Sequence, residues 1–397
     1  MMEQALKGLK VLDFTQVYSG PYCTMMLADM GAEVIKIESI GKGDQTRNFP
    51  PLKDGVSGYY NYVNRNKRSI TLNLKSERGK AVALTLAAKA DVIVENFSAG
   101  TIGKLGLGYE DVKIVNPEIV FASLSGFGQY GPYKNKLAYD AIAEAMGGLT
   151  SLSGEPERPC KVTPALSDAI SGIHMAFAVM VAAYHKLKTG KGQYVDVAMM
   201  DTVFSVLEGS VVIKTLLGQE PRRLGNASEI AVPYDVYPAK DGRVVIACAS
   251  DALFNKLAVL MGREDLLTDP NTYTNPVRIQ NREMVDQIVM DWCADKSVDE
   301  IVNMLDKAKI PSAPIMTIGR LVTDPHIAAR EMLIEQEDPI LGKVKYPGNP
   351  IKLSETPAQF VRRAPLLGEH NDEVLRDILH YSDEQIREMR NAGDIGS

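Results

Sequence analysis

The sequence predicts an α/β fold built on a parallel sheet. Short apolar runs that have the length of strands recur through the first half of the chain, at 10–14, 33–38, 91–95 and 119–123. Stretches with helical spacing of apolar residues lie between them, at 21–30 and 76–89. Alternating strands and helices with short apolar strands are typical of a parallel sheet with crossover helices.

Local signals place the elements that follow. Ser76 has the side chain and the position of a helix N-cap, so the second helix is predicted to begin directly after it. From about Leu137 to Leu217 the pattern is mostly helical, with a short strand at 194–197. Ser167 is predicted to cap an apolar helix that extends to about Leu187.

The second half of the chain has its own pattern. Residues 218–226 are rich in Gly, Pro and Arg, as in a linker. A strand at 243–249 follows the Asp241-Gly242 turn, and helices are predicted from 251, 276 and 297, the middle one with an apolar stripe. The tail is loop-rich and ends in an amphipathic helix at 382–392. We therefore predict a large domain (1–217), a linker with a small α/β domain (218–330), and a tail (331–397) that returns to the large domain.

Composition excludes several classes of protein. The 397 residues are 45% hydrophobic and 24% charged, which is ordinary for a globular protein. A formal net charge of −6 provides no overall attraction to nucleic acid or anionic lipid. The four cysteines are far apart, which predicts free thiols in a reducing compartment. The N-terminus has no apolar run suited to a signal peptide, and the apolar stretch 172–183 is too short to span a bilayer. We expect a soluble, cytoplasmic protein.

Two common cofactor motifs fail in context. Residues 126–131 match G-x-G-x-x-G after a strand, but Pro132 and a polar segment follow where a dinucleotide site needs a helix. The first strand–helix–strand unit ends in an acid, Glu38, yet its turn lacks the glycines. The five histidines have no metal-ligand spacing, so we expect no metal. A G-x-S-x-G nucleophile elbow is also absent from the sequence, which disfavours an α/β-hydrolase.

One acidic residue stands out at the start of the apolar helix. Asp168 falls in its first turn, where the helix field favours the ionised carboxylate. Its neighbours Ala169, Ser171 and Gly172 are small enough to let a ligand approach the backbone. An Asp in a first turn is also a common cap, so this feature alone leaves a catalytic and a purely structural role open.

A basic cluster is the second candidate. Arg65, Lys67 and Arg68 lie close together and are followed by Lys75. Asn96-Phe97 end a predicted strand shortly before Lys104. Residues just beyond the carboxyl ends of parallel strands line the ligand crevice of such sheets. The cluster therefore has two interpretations, pairing with phosphate groups or a solvated charged face.

The segments together resemble a known family. The matching segments run in order through nearly the whole chain, at 9–15, 19–21, 27–38, 43–47, 66–70, 94–97, 125–132, 138–140, 168 with 171–172, and 188–193. As a set they resemble the class III (CaiB/BaiF) CoA-transferases. The resemblance implies a Rossmann-like large domain and a smaller domain in each chain, and homodimers of two interlocked ring-shaped chains.

The resemblance also implies a mechanism. Asp168 would attack an acyl-CoA thioester to form an acyl–aspartyl anhydride and CoA thiolate, and the thiolate would then form an aspartyl-CoA thioester. A small carboxylic acid would accept the CoA by the reverse steps. This chemistry has CoA as a substrate and implies no tightly bound cofactor and no metal.

Family positions that contact CoA carry over residue by residue. They correspond here to Tyr18, Ser39, Leu72, Asn73, Leu74, Lys75, Asn96, Phe97, Lys104 and Tyr139. The acyl pocket would include Gln16, where oxalate-specific members often have histidine, together with Tyr139. Tyr18 and Ser39 also differ in residue type from those members, and the glycine-rich loop of those members is absent at 226–234. The differences favour an acid other than oxalate, such as a 2-hydroxy acid or another short carboxylate.

Two alternatives stay open at this point. Related α-methylacyl-CoA racemases use an acid/base pair with His before the acid that is Asp140 here, whereas this chain has Tyr139. The ordinary pKa of tyrosine, near 10, suits proton shuttling poorly. A catalytically silent CoA-binding protein is the other alternative.

Overall fold

The computed structural model describes residues 3–396. Contacts divide these residues into two compact units. The large unit comprises the described residues of Met1–Thr150, Lys161–Gly218 and Ala328–Ser397, and the small unit comprises Ser151–Cys160 and Gln219–Ile327. The boundaries near 218 and 328 lie within three residues of those expected from sequence. The segment 151–160 differs, because the sequence placed it in the large domain and the contacts group it with the small unit.

The sheet of the large unit contains six parallel strands within the described residues. Their bounds are β1 (Lys10–Asp13), β2 (Glu33–Glu38), β3 (Arg68–Thr71), β4 (Val92–Glu95), β5 (Val120–Ser125) and β6 (Tyr194–Ala198). The spatial order is β3-β2-β1-β4-β5-β6, with parallel pairing throughout. The parallel sheet predicted from the alternating pattern is confirmed. The chain reverses its direction of travel across the sheet between β1 and β4, which is where such folds bind ligands.

Side chains of the strands alternate between the two faces of the sheet, and each face carries an apolar core. On β1 and β4, Val11, Val92 and Val94 face one cluster, while Leu12 and Ile93 face the other. Successive side chains of a strand point to opposite faces, so strands that are apolar on both faces must be covered on both sides. The sheet is therefore buried between two layers of helices.

Ten helices lie between residues 19 and 217 in the described part of the chain. They are α1 (Ser19–Asp29), α2 (Gly58–Asn64), α3 (Glu77–Ala87), α4 (Thr101–Lys104), α5 (Tyr109–Val115), α6 (Asp140–Met146), α7 (Leu149–Leu152), α8 (Leu166–Thr189), α9 (Met199–Ser205) and α10 (Ser210–Leu217). The predicted cap of α3 is confirmed, since the Ser76 side chain accepts the N–H of Gly79.

Helix α8 is the longest of these helices. It has 24 residues and is long and apolar enough to cross a membrane by length and composition, which corrects the shorter apolar stretch expected from sequence. Met175, Val179 and other residues of one face are buried against the sheet. Core helices of soluble proteins pass the same test, so its length alone does not place it in a membrane. Gly172 lets α8 approach α1, since a Cβ there would lie 2.6 Å from the Ser19 carbonyl oxygen.

The small unit has an antiparallel sheet of three strands among its described residues. These are β7 (Tyr234–Ala239), β8 (Gly242–Ala247) and β9 (Ser312–Pro314), in that order. Its helices are α11 (Asp251–Leu260), α12 (Asn275–Gln280), α13 (Arg282–Cys293), α14 (Val298–Ala308) and α15 (Ile318–Leu321). Strand β7 was not predicted, although the Asp241-Gly242 turn is a hairpin signal. The core of this unit includes Val244, Leu257, Val289 and Ile301.

The tail contains more regular structure than expected. A hairpin of β10 (Leu333–Asp338) and β11 (Gly342–Pro347) lies where the sequence predicted loops, and helix α16 (Pro325–Ala329) precedes it. Helices α17 (Asn371–Glu373) and α18 (Asp383–Asn391) follow, and Leu72 beyond β3 forms a bridge with Ile395. Contacts of this kind group the tail with the large unit.

Candidate functional site

The loops after β1 and β4 meet at the reversal in strand order. The Asn96 side chain accepts the Gln16 N–H at 2.7 Å and donates to the Gln16 carbonyl oxygen at 2.8 Å. Gly20 allows this close approach, because a Cβ there would lie 2.5 Å from Thr15 and 3.1 Å from Asn96. Val17 adopts a positive φ of 68°, and its N–H donates to Asp44 Oδ1 at 3.2 Å. The loop after β1 is therefore fixed by side chains from two other loops.

Asp168 lies in the first turn of α8, as predicted, but the cap of that helix is different. Ser167 is the second residue of the helix, and its side chain does not cap it. Instead, Asp140 Oδ1 accepts the backbone N–H groups of Ser167 at 3.0 Å and Asp168 at 3.4 Å. The Ser167 hydroxyl also contacts this carboxylate at 2.9 Å. A carboxylate from the start of α6 thus satisfies the exposed donors of α8, which a cap from the helix itself normally does.

Lys161 pairs with the same carboxylate. Its Nζ forms an ion pair with Asp140 Oδ2, the oxygen that does not cap α8. The Asp140 side chain is 10% exposed and that of Lys161 is 41% exposed. One turn along α6, buried Glu144 accepts the N–H of Val162 at 2.8 Å. Two acids of α6 therefore hold the segment that leads into α8.

Burial and the neighbouring charge change the acidity of Asp168. Burial and the charge of Asp140 raise the pKa of the Asp168 carboxyl to about 7, against smaller opposing effects of the Ser19 hydroxyl and Lys161. The helix field is expected to favour the ionised carboxylate, whereas burial and the charge of Asp140 act on the pKa of Asp168 in the opposite direction. Because Asp140 occupies the helix N-terminus, its negative charge offsets the field that Asp168 would otherwise experience.

Asp168 lines a cleft of about 240 Å³. Five residues assigned to the site from sequence line it, namely Gln16, Asn96, Phe97, Tyr139 and Asp168. Gln45, Lys134 and Lys136 line the same cleft and were not predicted. A second cavity of about 630 Å³ shares Gln16 and Gln45 with the first and includes Ser39. Six of the predicted positions thus border two adjoining cavities of the large unit.

The other predicted contact residues lie in different surroundings. Tyr18 belongs to an aromatic cluster, with ring centroids 5.4 Å from Tyr22 and 5.9 Å from Tyr59, and burial raises its pKa. The side chain of Leu72 is buried in the core, and that of Leu74 is partly buried against it. The remaining positions are accessible, with partly exposed Asn73 and exposed Lys75 and Lys104.

Tyr59 interacts electrostatically with Asp168 and was not among the predicted site residues. Burial raises its pKa to about 12, and the negative charge of Asp168 is the next largest cause. Its ring also lies 5.9 Å from that of Phe49. The aromatic-rich run 59–62 was the available signal, but only the fold brings α2 near the start of α8.

Three cations of the basic cluster, Arg65, Lys67 and Arg68, have neither of the predicted roles, whereas Lys75 and Lys104 are exposed. Buried Lys67 pairs with Asp13 at 3.1 Å, and buried Arg65 pairs with Asp29 at 2.8 Å. Arg68 is partly buried and pairs with two glutamates of the large unit. These cations are therefore neutralised within the large unit, and they neither face solvent freely nor await a phosphate.

The small residues after Asp168 also serve packing. The Ser171 hydroxyl donates to the Ser167 carbonyl oxygen at 2.6 Å and lies 2.7 Å from the Thr202 hydroxyl of α9. Gly172 faces α1. The prediction that both residues open a path for a ligand is wrong, because each is buried against a neighbouring helix.

The glycine hexad forms a loop after β5. Gly128 and Gly131 have positive φ, and no helix begins directly after the hexad in the described chain. Within residues 3–396, no group of three potential metal ligands of the His, Cys, Asp or Glu type is present. All four cysteines are unpaired.

Comparison with known proteins connects this geometry to an activity. The family model described as CoA-transferase family III matches residues 6–371. The chain is 39% identical to the succinyl-CoA:mesaconate CoA-transferase of Haloarcula hispanica, over 94% of this chain and 96% of that protein. It is 35% identical to the human succinyl-CoA:glutarate CoA-transferase, covering 98% and 90%. With the formyl-CoA:oxalate CoA-transferase of Afipia carboxidovorans it shares 34% identity, covering 100% and 98%. A CaiB/BaiF family protein from Brucella suis has a similar crystal structure, with a TM-score of 0.85, 35% identity, and coverage of 94% and 99%.

Proposed function

This chain belongs to CoA-transferase family III and is a CoA-transferase, and we propose that the carboxylate of Asp168 is its nucleophile. The observation that carries this proposal is the position of Asp168. It is a partly buried carboxylate on the wall of a cleft that also includes Asn96, Phe97 and Tyr139. A pKa of about 7 leaves a substantial fraction of Asp168 ionised at neutral pH.

The proposed reaction transfers CoA in two symmetric halves. An oxygen of Asp168 attacks the thioester carbonyl carbon of the donor, the C–S bond breaks, and an anhydride and CoA thiolate form. The thiolate attacks the aspartyl carbonyl carbon, which releases the donor acid and leaves an aspartyl-CoA thioester. The acceptor carboxylate then attacks the carbonyl carbon of that thioester, the C–S bond breaks, and a second anhydride and CoA thiolate form. The thiolate attacks the acceptor's acyl carbon, which completes the new acyl-CoA and regenerates the Asp168 carboxylate.

Partial burial of the nucleophile suits this chemistry. An acyl–aspartyl anhydride is destroyed by water, so a site that excludes water protects it. Burial also removes hydration from the carboxylate, which makes it more basic and a stronger nucleophile when ionised. All bonds made and broken involve Asp168, CoA and two acids, so we propose CoA as a substrate with no metal or tightly bound cofactor.

We propose that the acids are dicarboxylic. Relatives matched over nearly their whole length are named for succinyl-CoA with mesaconate or glutarate. Lys134 and Lys136 line the cleft of Asp168 and provide positive charge for anionic substrates. Gln16, at the junction of the two cavities, supplies an amide donor beside the space in which an acyl group would extend.

We assign CoA contacts to those predicted residues that are accessible in the structure. We propose that Asn96, Phe97 and Tyr139 contact the pantetheine part, because they line the cleft with Asp168. Lys75, Lys104 and Asn73 are exposed or partly exposed and suit the nucleotide part. Leu72 would contribute through its backbone, since its side chain is buried in the core, while the side chain of Leu74 is partly accessible.

We propose that the active enzyme is a homodimer, as the family resemblance implies. The outer face of α8 carries an apolar stripe at helical spacing, formed by Ile173, Phe177, Val181 and Tyr184, all exposed. Soluble proteins rarely leave such a continuous apolar stripe uncovered. A second copy of this chain is the occupant that the proposed assembly supplies. The proposed interlocking of two rings would bury this face.

The decisive experiment combines a transfer assay with trapping of the intermediate. The protein is incubated with succinyl-CoA and a panel of free acids, and acyl-CoA products are identified by mass spectrometry. Hydroxylamine added during turnover should convert the Asp168 thioester or anhydride to a hydroxamate, and peptide mapping should locate it. Exchange of an α-proton without movement of CoA would indicate a racemase, and CoA binding with neither reaction would indicate a silent binder.

Two variants make the test specific. Asp168→Ala should abolish transfer while retaining CoA binding, with transfer reduced at least about 10³-fold, as expected for loss of a covalent nucleophile. Asp201→Asn is the matched control, because Asp201 is an exposed aspartate in the first turn of α9. It should keep normal transfer. Near-normal turnover in Asp168→Ala would refute the proposed mechanism.

A further inference from the structure

The buried carboxylate of Asp140 lies at the N-termini of two helices, α6 and α8. Asp140 is the first residue of α6, and its Oδ1 accepts N–H groups from the first turn of α8. The backbone N–H of Asp168 is one of those donors. The position of the proposed nucleophile is thus coupled through one hydrogen bond to the carboxylate of Asp140.

The second oxygen of Asp140 is held by Lys161. This ion pair uses Oδ2, so capping and charge neutralisation fall on different oxygens of one carboxylate. The negative charge of Asp140 is favourable at the N-terminus of α8. Without a neighbouring cation, however, that charge would oppose ionisation of the Asp168 carboxyl. Lys161 supplies the compensation at a point where it does not displace the cap.

We propose that the Asp140–Lys161 pair positions Asp168 and sets the pH range in which it is ionised, with Lys161 neutralising the carboxylate that caps its helix. This inference rests on the proposed role of Asp168 as nucleophile. Asp140 and Lys161 are positioning residues, because they act through Asp168 rather than on the substrate.

Charged and titratable groups on each neighbouring element contribute to this balance. From α6, Asp140 opposes ionisation of Asp168, and Glu144 adds negative charge beside Lys161. From α2, Tyr59 interacts with both Asp140 and Asp168, and burial keeps it neutral with a pKa of about 12. Lys134 and Lys136 line the cleft from the loop before α6. Among these groups, Lys161 is the cation paired directly with the capping carboxylate.

The pair predicts opposite effects for its two members. In Lys161→Met, Asp140 keeps its charge without a partner and should raise the pKa of Asp168. The acidic limb of the kcat/KM–pH profile, along which activity falls as Asp168 becomes protonated, should therefore move up by about 0.5–1 pH unit. In Asp140→Asn, the amide oxygen can still cap α8 while the charge is gone, so the limb should move down by about one pH unit. Each variant should approach wild-type kcat/KM at pH values where Asp168 is fully ionised. Lys161→Met added to Asp140→Asn should move the limb up less than Lys161→Met does in the wild type, because only the weaker direct effect of Lys161 on Asp168 is then lost.

Controls separate this effect from a loss of folding. Lys161→Arg should restore the wild-type profile, because it keeps the cation. Lys186→Met removes a lysine from a similar pair, with Asp91 at 3.0 Å, near the other end of α8, and should not move the limb. Thermal unfolding of each variant shows whether a lowered plateau reflects lost native protein. An acidic limb that fails to move in the stated direction in either Lys161→Met or Asp140→Asn overturns the inference.

The outcome is separable from that of the proposed function. Activity retained in Asp168→Ala would refute the nucleophile, and with it the basis of this inference. An inactive Asp168→Ala and a hydroxamate on Asp168, together with unmoved limbs in the pair variants, would leave the nucleophile in place and refute only the role of the pair.

Discussion

The side chain of Asn96 makes two hydrogen bonds with the backbone of Gln16, one to its N–H at 2.7 Å and one to its carbonyl oxygen at 2.8 Å. These residues are 80 positions apart in the sequence. They join the loops after β1 and β4, where the strand order reverses and the cleft of Asp168 lies.

Replacing Asn96 should therefore affect catalysis more than stability. Asn96→Ala removes both hydrogen bonds and frees the loop that carries Gln16, and we expect kcat/KM to fall about 10–100-fold, as for other losses of positioning. Asn116→Ala is a matched control, since the Asn116 amide also makes two backbone hydrogen bonds, to Ala87 and Ala90 at 2.9 and 2.8 Å. It should lower the midpoint of thermal unfolding without a comparable loss of kcat/KM. Equal kinetic effects of the two variants would contradict a specific role of Asn96.

The transfer rate of the wild-type enzyme should depend on pH with an acidic midpoint near 7. Burial and the charge of Asp140 raise the pKa of Asp168 to about 7, and only the ionised carboxylate attacks a thioester. Activity should therefore rise with pH through that value and fall about tenfold for each unit below it. Measurement of kcat/KM between pH 5 and 9 tests this. A limb near pH 4, the ordinary value for aspartate, would show that the site does not raise the pKa of Asp168.

The buried Asp13–Lys67 pair should be essential to folding of the large unit. Lys67 Nζ lies 3.1 Å from Asp13 Oδ2, and both side chains are inaccessible to solvent. Asp13→Asn leaves the lysine buried without a counter-charge, so we expect the free energy of unfolding to fall by about 3–5 kcal/mol. Urea denaturation measures this. Asp295→Asn, which removes the partner of Lys296 at the surface, should leave the denaturation midpoint essentially unchanged.

The same pair predicts the direction of acid sensitivity. Burial alone would raise the pKa of Asp13, but the charges of Lys67 and Lys36 lower it from 3.8 to about 2. A carboxyl whose pKa is lower in the folded state contributes stability above the unfolded value and loses it as pH falls. The contribution of Asp13 should be complete above about pH 4 and lost toward pH 2. Asp13→Asn should therefore have a smaller drop in the free energy of unfolding across this window than the wild type.

The outer face of α8 should determine the oligomeric state. Phe177 is 69% exposed in the middle of the apolar stripe. Phe177→Asp places a charge there and should shift the protein from dimer to monomer in analytical ultracentrifugation, because burying an unpaired carboxylate is costly. Ile114→Asp on α5 is the control, since Ile114 is 82% exposed and lies outside the stripe. A wild-type protein that sediments as a monomer would refute the proposed dimer.

Local sequence signals were sufficient for the strands and for caps made within a few residues. The Ser76 cap could be predicted because donor and acceptor are three residues apart, in Ser76 and Gly79. The strands β1, β2, β4 and β5 could be predicted because a parallel sheet covered on both faces needs continuous apolar runs. The prediction that Ser167 caps α8 is wrong, because the capping carboxylate belongs to Asp140, 27 residues earlier in the sequence.

The sequence by itself determined the parallel α/β fold, the placement of Asp168 at the start of a helix and the resemblance to a family of CoA-transferases. Only the tertiary structure decided which charges are neutralised inside the fold, as for Lys67, and which groups act on Asp168, as do Asp140 and Lys161. The physical reason is that helix starts and apolar periodicity depend on neighbours along the chain. The pKa of a carboxylate instead depends on burial and on charges a few ångströms away, which arrive from distant parts of the sequence.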